Sequence, residues 1–222
     1  MFLGIARWVP ANGIAFVVLV VVASLVKDAP ERDASDAEIV AYYQESGNRS
    51  EEIVAFFLIG LALFCFLSFL GALRGFLARA EGEPARLTTA AVGSGVAFIA
   101  LAVAAHIAAD SVSWAAEIYD DFEVDPNTAR LAQSLWYGLF VMSLFAAAAM
   151  TLAASVLALH SRVFPTWLAV VGFLATICGL LGAFVITSLG VLAWVLLVSL
   201  FMLWPERAPG RPQAPARSSP PG

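Results

Sequence analysis

Lysine is nearly absent from this 222-residue chain, which has eleven arginines and a single lysine, Lys27. Charged residues of all kinds make up 13% of the sequence and hydrophobic residues 61%, far from the balance of soluble domains. The net charge of −5 leaves no basic face to neutralise phosphates, which excludes a nucleic-acid partner. Arginine in place of lysine, together with abundant alanine, is typical of a GC-rich bacterial genome.

Cysteine and histidine are also scarce, with two of each. Cys65 and Cys178 lie in the middle of different apolar runs and form no metal-binding motif, so we interpret them as packing residues. A bis-histidine haem needs two imidazoles at one depth. His160 belongs to the opposite membrane edge from His106, about 28 Å away at 1.5 Å per residue. No cofactor or metal site is therefore predicted.

Long apolar runs dominate the rest of the chain, and none of them contains Lys, Arg, Asp or Glu. Crossing the hydrocarbon layer takes about 20 apolar residues as a helix. The pattern predicts an all-α, polytopic bundle of six transmembrane helices. The six predicted spans are Val9–Val26, Ile53–Leu73, Leu87–Ala109, Leu131–Leu157, Trp167–Phe184 and Thr187–Trp204.

The positive charges predict the orientation of these spans, because cytoplasmic loops collect Lys and Arg. Placing both termini inside puts eight arginines in the cytoplasm: Arg7, Arg74, Arg79, Arg86, Arg162, Arg207, Arg211 and Arg217. Four cations then lie outside: Lys27, Arg32, Arg49 and Arg130. The first span also resembles a signal peptide, but its length favours a retained helix. The location predicted is the plasma membrane of a bacterium.

The chain divides into one membrane domain, residues 1–204, and a tail, residues 205–222. Two insertions of the membrane domain, 27–52 and 110–130, are predicted to lie outside. The tail is rich in Pro, Arg and Ser and is predicted to be disordered, because it cannot bury enough apolar surface.

Both insertions contain helix-start signals. Ser35 and Glu38 form a capping box, which predicts a short external helix. We expect this helix to end at Gly47-Asn48 and Ser50 to cap the second span. We expect one side of the helix to face the membrane surface, namely Ile39, Val40, Tyr42 and Tyr43. Asp125 followed by Pro126 predicts that the fourth helix begins at Pro126 and runs to about Leu159.

Small residues four apart predict close helix packing, since association in lipid depends on close backbone approach. Such spacing occurs at Ala175, Gly179 and Ala183 in span five, at Ala91 and Gly95 in span three, and at Gly71 and Gly75 at the end of span two.

The candidate site lies at the outer membrane edge. His106 is the one titratable residue other than Cys and Tyr within a predicted span, and Asp110 follows one helical turn later. One more turn brings Ser113 or Trp114 near the same face, and the loop bearing Trp114 and Glu117 completes the candidate external site. A boundary histidine bonded to Asp110 or to water is the alternative interpretation.

Other resemblances to known sites fail. Gly93-Ser94-Gly95 lacks the further glycine expected of an intramembrane serine protease, and Ser94 is about 18 Å from His106 on one helix. Asp121, Glu123 and Asp125 resemble the start of a calcium loop, but Pro126 stands where the loop requires glycine. No catalytic residues are predicted.

Three segments together resemble an uncharacterised group of bacterial six-helix membrane proteins, similar to domain of unknown function 4386. The segments are Asp36–Tyr43, Phe69–Arg74 and Leu159–Leu168. The resemblance spans most of residues 36–185 and implies the six-helix arrangement, without an activity or site residues.

These observations favour a non-enzymatic structural or interaction component of the cell envelope. A small-molecule transporter is the alternative, although the midplane offers few polar side chains. A membrane enzyme with its site in the external loops comes third. The expected partners are the lipid bilayer and either another membrane protein or a second copy of the chain.

Overall fold

The computed structural model describes residues 8–27, 30, 33–181 and 188–204. Within these residues the chain forms seven helices and no strand, which confirms the all-α prediction for them. The helices are α1 (Ala11–Val26), α2 (Asp36–Gln44), α3 (Ser46–Glu81), α4 (Arg86–Ile118), α5 (Pro126–Ser161), α6 (Thr166–Leu180) and α7 (Ser188–Leu203). The predicted tail, Arg7 and the boundary between spans five and six lie outside the described residues.

Three of the helices, α3, α4 and α5, are long and apolar enough to cross a membrane. These three indicate a membrane protein. The apolar helices α1, α6 and α7 have 16, 15 and 16 residues. At 1.5 Å per residue they measure about 22 to 24 Å, less than the roughly 30 Å of a hydrocarbon core.

The six apolar helices form a closed ring. Contacts run in the order α1, α3, α4, α5, α6 and α7, and α7 returns to α1. Helix α2 stands outside the ring and contacts α3, α4 and α5. Each pair joined by a short connection, α3 with α4 and α5 with α6, is therefore adjacent.

The two ends of the ring differ in charge. Phe76, Phe164 and Phe201 pack together, with ring centroids 5.3 to 6.3 Å apart. Their contacts bring the end of α3, the joint after α5 and the end of α7 together at one end of the ring. We call it the arginine end, because it carries Arg74, Arg79, Arg86 and Arg162. The opposite end, which carries α2 and the joint from Tyr119 to Asp125, is the acidic end.

Aromatic side chains fill the middle of the ring. Phe66 of α3 is completely buried and contacts Phe16 of α1 at 4.8 Å and Phe98 of α4 at 5.1 Å between ring centroids. Trp194 of α7 is also buried. Large aromatic side chains contribute much of the buried area in such a core.

Helix α2 begins as the capping box predicts. The Ser35 amide donates to Glu38 Oε2 at 2.7 Å, and the Glu38 amide donates to Ser35 Oγ at 3.4 Å. Ile39 and Tyr43 are buried against Val112 of α4 and Ala129 and Ala132 of α5. The expectation that these two residues face the membrane surface is therefore wrong: they face the last turns of α4 and the first turns of α5.

The predicted boundary between α2 and α3 is also wrong. Helix α2 ends at Gln44, α3 begins at Ser46, and Ser50 lies inside α3, where it donates to the Ser46 carbonyl. The reason is that the first turn of α3 supplies donors to the end of α2. Asn48 donates to the Tyr42 carbonyl, and Arg49 donates to the carbonyls of Tyr43 and Gln44. Carbonyls at a helix end need such partners.

The start of α5 is confirmed. Helix α5 begins at Pro126, and the Asp125 carboxylate accepts from the amides of Asn127 and Thr128. It ends at Ser161, two residues beyond the predicted end.

Two of the three small-residue pairings lie at helix contacts. Gly95 and Gly179 are buried, and a Cβ at Gly179 would lie 2.9 Å from the Leu144 carbonyl oxygen of α5. Ala183 lies outside the described residues. The pairing at Gly71 and Gly75 is wrong, because a Cβ at either position meets nothing within 4 Å.

Candidate functional site

Lys27 joins three helices at the acidic end. It follows the last residue of α1, and its Nζ lies 2.7 Å from Asp110 Oδ1 of α4 and 3.1 Å from Glu52 Oε1 of α3. The two acidic residues are almost fully buried, at 1% and 0% exposure. We call Lys27, Glu52 and Asp110 the ion network.

Glu52 is satisfied on both of its oxygens. Oε1 also accepts a hydrogen bond from the Tyr42 hydroxyl at 3.3 Å, and Oε2 accepts from the Ser113 hydroxyl. A buried carboxylate keeps its charge only with such a set of partners. With both carboxylates ionised, the ion network carries one net negative charge.

The position of Lys27 affects its titration. Burial disfavours the charged ammonium, but the carboxylates of Glu52 and Asp110 outweigh that effect and raise the pKa of Lys27 above its ordinary 10.5. Lys27 therefore stays charged at neutral pH.

Local sequence explains how these side chains reach one another. The apolar run of α1 ends at Val26, so Lys27 stands at the helix C-terminus, where a cation is favoured. Helix α4 continues nine residues past the predicted span, which makes Asp110 and Ser113 part of the helix. Three residues apart, the two share one face, from which Ser113 contacts Glu52 and Asp110 contacts Lys27.

His106 lies one turn from Asp110, as the spacing predicts. Its Nδ1 is 2.8 Å from the Ala102 carbonyl oxygen. Because a carbonyl only accepts, Nδ1 carries a proton, and Nε2 of the neutral ring is left as an acceptor. The side chain is half-buried and lines a cavity.

The cavity has a volume of about 780 Å³, which suits a small organic ligand. Helices α1 to α5 line it, and their residues fall into three groups. The charged and amide side chains are Lys27, His106, Asp110, Arg130 and Gln133. The aromatic side chains are Tyr43, Phe56, Trp136 and Tyr137, and apolar residues deeper in the ring are Ala23, Ala55, Ile59 and Ala109.

The packed core of Phe16, Phe66 and Phe98 lies between the cavity and the arginine end. Ile59 is the lining residue of α3 farthest from the acidic end, and Phe66 follows seven residues later, roughly 10 Å along the helix. Two hydroxyl groups near the midplane lie beyond this core and bond locally. Thr151 and Thr176 are 2.9 Å apart, and Thr176 also donates to the Gly172 carbonyl.

Trp114 and Glu117 are separate from the cavity. The Trp114 ring packs edge-on against Phe56 and Phe57, at centroid distances of 5.8 and 6.1 Å. Glu117 is half-exposed and pairs with Arg49 at 3.2 Å. Of the four candidate residues, the structure brings His106 and Asp110 to one cavity and leaves the other two at its periphery.

Sequence reasoning missed Lys27 and Glu52 as site residues. From the sequence, Lys27 counts only as one of the four cations predicted to lie outside. One signal in the sequence could have identified Lys27: it is the only lysine, and it directly follows an apolar helix. Nothing local to Glu52 separates it from Glu51, which is exposed.

The sequence matches no protein-family model, no curated protein and no solved structure.

Proposed function

We propose that the chain is a multi-pass protein of the bacterial plasma membrane, with six spans and both termini in the cytoplasm. The closed ring supports six spans, since α1, α6 and α7 stand in it beside the three longer helices. Large apolar side chains on the outside of α3, such as Phe57 and Phe64, support a surface facing lipid. The resemblance to domain of unknown function 4386 is part of this proposal.

The function that the geometry supports best is non-enzymatic binding of a small ligand from the outside, as an envelope component. The cavity of about 780 Å³ at the acidic end is the observation that carries this proposal. The acidic end becomes the outer end in the orientation that places the arginines inside. The buried ion network supports a fixed wall for the cavity, because it ties α1, α3 and α4 together.

A transporter is the second candidate, since a cavity reached from one side is also what one state of a transporter presents. The packed core of Phe16, Phe66 and Phe98 favours binding over transport, because a substrate would have to pass it. Thr151 and Thr176 support the same choice, since their hydroxyls bond to each other and to backbone carbonyls.

Thiol labelling tests both candidates. Ser134 of α5 lines the cavity and is exposed, whereas Ser143, nine residues further along the same helix, is buried. Each is replaced by cysteine in a chain with Cys65→Ala and Cys178→Ala. A membrane-impermeant maleimide added outside should label the Ser134→Cys chain and leave the Ser143→Cys chain unlabelled.

Labelling of Ser134→Cys from both faces of the membrane would favour the transporter. Absence of labelling from the outside would overturn external binding.

A further inference from the structure

The Asp110 carboxylate lines the cavity and, in the described part of the chain, is contacted at only one of its two oxygens. Lys27 contacts Asp110 at Oδ1, and within the described residues no donor reaches Oδ2. His106 adds an acceptor, since its Nδ1 proton is used by the Ala102 carbonyl. Two unengaged acceptors, one helical turn apart and lining one cavity, favour a ligand that brings positive charge and donors.

The lysine and arginine side chains that the structure describes at this end are already paired. Lys27 contacts Glu52 and Asp110, Arg49 contacts Glu117, and Arg130 contacts Asp36 at 2.7 Å. An anionic ligand would therefore compete with a carboxylate for every lysine or arginine described at this end.

The excess of negative charge at the acidic end also favours a cationic ligand. Three cations at the acidic end stand against twelve carboxylates in the described chain. The twelve belong to Asp33, Asp36, Glu38, Glu45, Glu51, Glu52, Asp110, Glu117, Asp120, Asp121, Glu123 and Asp125. Such an excess raises the local concentration of cations at the mouth of a cleft.

Aromatic rings complete the environment. Phe56, Trp136 and Tyr137 line the cavity, and Trp136 is held by stacking on Phe140 with centroids 5.7 Å apart. Faces of aromatic rings attract organic cations, and several rings around a carboxylate are well suited to an ammonium group.

We propose that the outer cavity binds the ammonium group of a small organic amine, with Asp110 as its counter-ion and the aromatic rings around it. This inference rests on the external binding proposed above and names the chemical class of the ligand. The ammonium group belongs either to a soluble amine or to the headgroup of a membrane lipid.

Binding to the full chain in phosphatidylglycerol nanodiscs tests this, by calorimetry and by the shift in unfolding temperature. The probes are choline and ethanolamine chlorides, the neutral carbon isostere of choline, and sodium butyrate, all at one ionic strength. The two amines should bind and raise the unfolding temperature, and the isostere and butyrate should not. Butyrate or isostere binding as strong as that of the amines would overturn the proposal.

Two variants locate the binding site. Asp110→Asn should weaken amine binding roughly tenfold or more, the effect of losing a charged partner. Trp136→Leu lies outside the ion network and should weaken it by roughly threefold to thirtyfold. Glu117→Gln is the matched control and should bind as the unmodified chain does. Unchanged affinity in both Asp110→Asn and Trp136→Leu would overturn the proposal.

A second lipid distinguishes the two sources. If the ligand is a headgroup, nanodiscs of phosphatidylethanolamine should reduce the apparent affinity for ethanolamine, because the lipid competes. Equal affinity in the two lipids assigns the site to a soluble amine, and both results support an ammonium site. This test can fail independently of Ser134→Cys labelling. If Ser134→Cys is labelled from the outside but no amine binds, the proposed external cavity stands and only the proposed ligand class is wrong.

Discussion

The burial of Glu52 depends on donors from distant parts of the chain. Ser113 stands 61 residues away in sequence, Tyr42 lies in the preceding helix, and Lys27 closes a different helix altogether. Removing one member of such a group leaves a buried charge without a partner, which costs more than the interaction itself contributes.

At the scale of single residues we therefore expect Lys27→Met to destabilise the protein strongly. The loss should be about 3 kcal/mol, near the lower end for a buried pair, because the Lys27 side chain keeps 22% exposure. Thermal or denaturant unfolding in detergent, followed by circular dichroism, measures it.

Glu117→Gln is the control for Lys27→Met, since it removes an ion pair in which Glu117 is half-exposed. Its effect should be below about 1 kcal/mol. Equal losses in the two variants would show that the ion network has no special role.

Residue-scale prediction from the sequence succeeds where contacts are local. His106 and Asp110 are one turn apart on one helix, so their common location follows from helical spacing alone. Lys27 and Asp110 are 83 residues apart, and their contact exists because α1 and α4 both pack against α3. No pattern within either helix contains that information.

At the scale of helices, the capping box of α2 gives a second prediction. Hydrogen bonds from the Ser35 backbone and side chain lower the pKa of Glu38 below its ordinary 4.5. A carboxyl group with a lowered pKa stabilises the folded state above its ordinary pKa, and this stabilisation disappears as the pH falls through the lowered value. Ser35→Ala removes the hydroxyl and its bonds to Glu38 and leaves the backbone amide donor in place.

We expect Ser35→Ala to move the Glu38 titration midpoint up toward 4.5, measured by carbon NMR of the labelled carboxyl. Hydrogen exchange of the α2 amides should accelerate roughly fivefold, since an N-cap serine contributes about 1 kcal/mol. Ser46→Ala is the control, because Ser46 starts α3 without a side-chain cap. A midpoint that does not move would contradict the role of the capping box.

Alanine substitutions at two glycines in different helices are expected to change the stability of the protein in opposite directions. An alanine Cβ at Gly179 would lie 2.9 Å from both the Leu144 carbonyl oxygen and the Ala148 Cβ, neither of which is a flexible side-chain end. Gly179→Ala should therefore push α5 and α6 apart and cost about 1 to 3 kcal/mol. Gly71→Ala meets open space and should stabilise α3 by up to about 1 kcal/mol.

The unfolding free energies of the two glycine variants, measured under identical detergent conditions, test this contrast. A loss of stability in Gly71→Ala would restore the packing role that the spacing of Gly71 and Gly75 suggests.

Helix starts were predictable where one short segment contains all the necessary groups. Asp125 and Pro126 supply both the cap and the first turn of α5, and Ser35 with Glu38 does so for α2. The end of α2 was not predictable in this way, because its last carbonyls are satisfied by Asn48 and Arg49 of the next helix. Small-residue spacing likewise identifies a slim helix face but not which face meets a neighbour.

At the scale of the whole molecule, the ring of helices separates charge. The joints after α3 and α5 lie beside the end of α7, and their arginines are therefore collected at one end. The acidic end holds the ion network, α2 and the cavity. Composition and apolar runs predicted the helical class, but the closure of the ring by α1 and α7 required the packed structure.

The asymmetry of the two ends predicts the orientation in the membrane. Glu83 lies in the joint between α3 and α4, and Glu123 lies in the joint before α5, and both are exposed. In chains with Cys65→Ala and Cys178→Ala, an impermeant maleimide added to intact cells should label Glu123→Cys and not Glu83→Cys. Glu83→Cys should react after the membrane is opened, because short arginine-rich joints stay in the cytoplasm. Labelling of Glu83→Cys on intact cells would reverse the orientation and place the cavity inside.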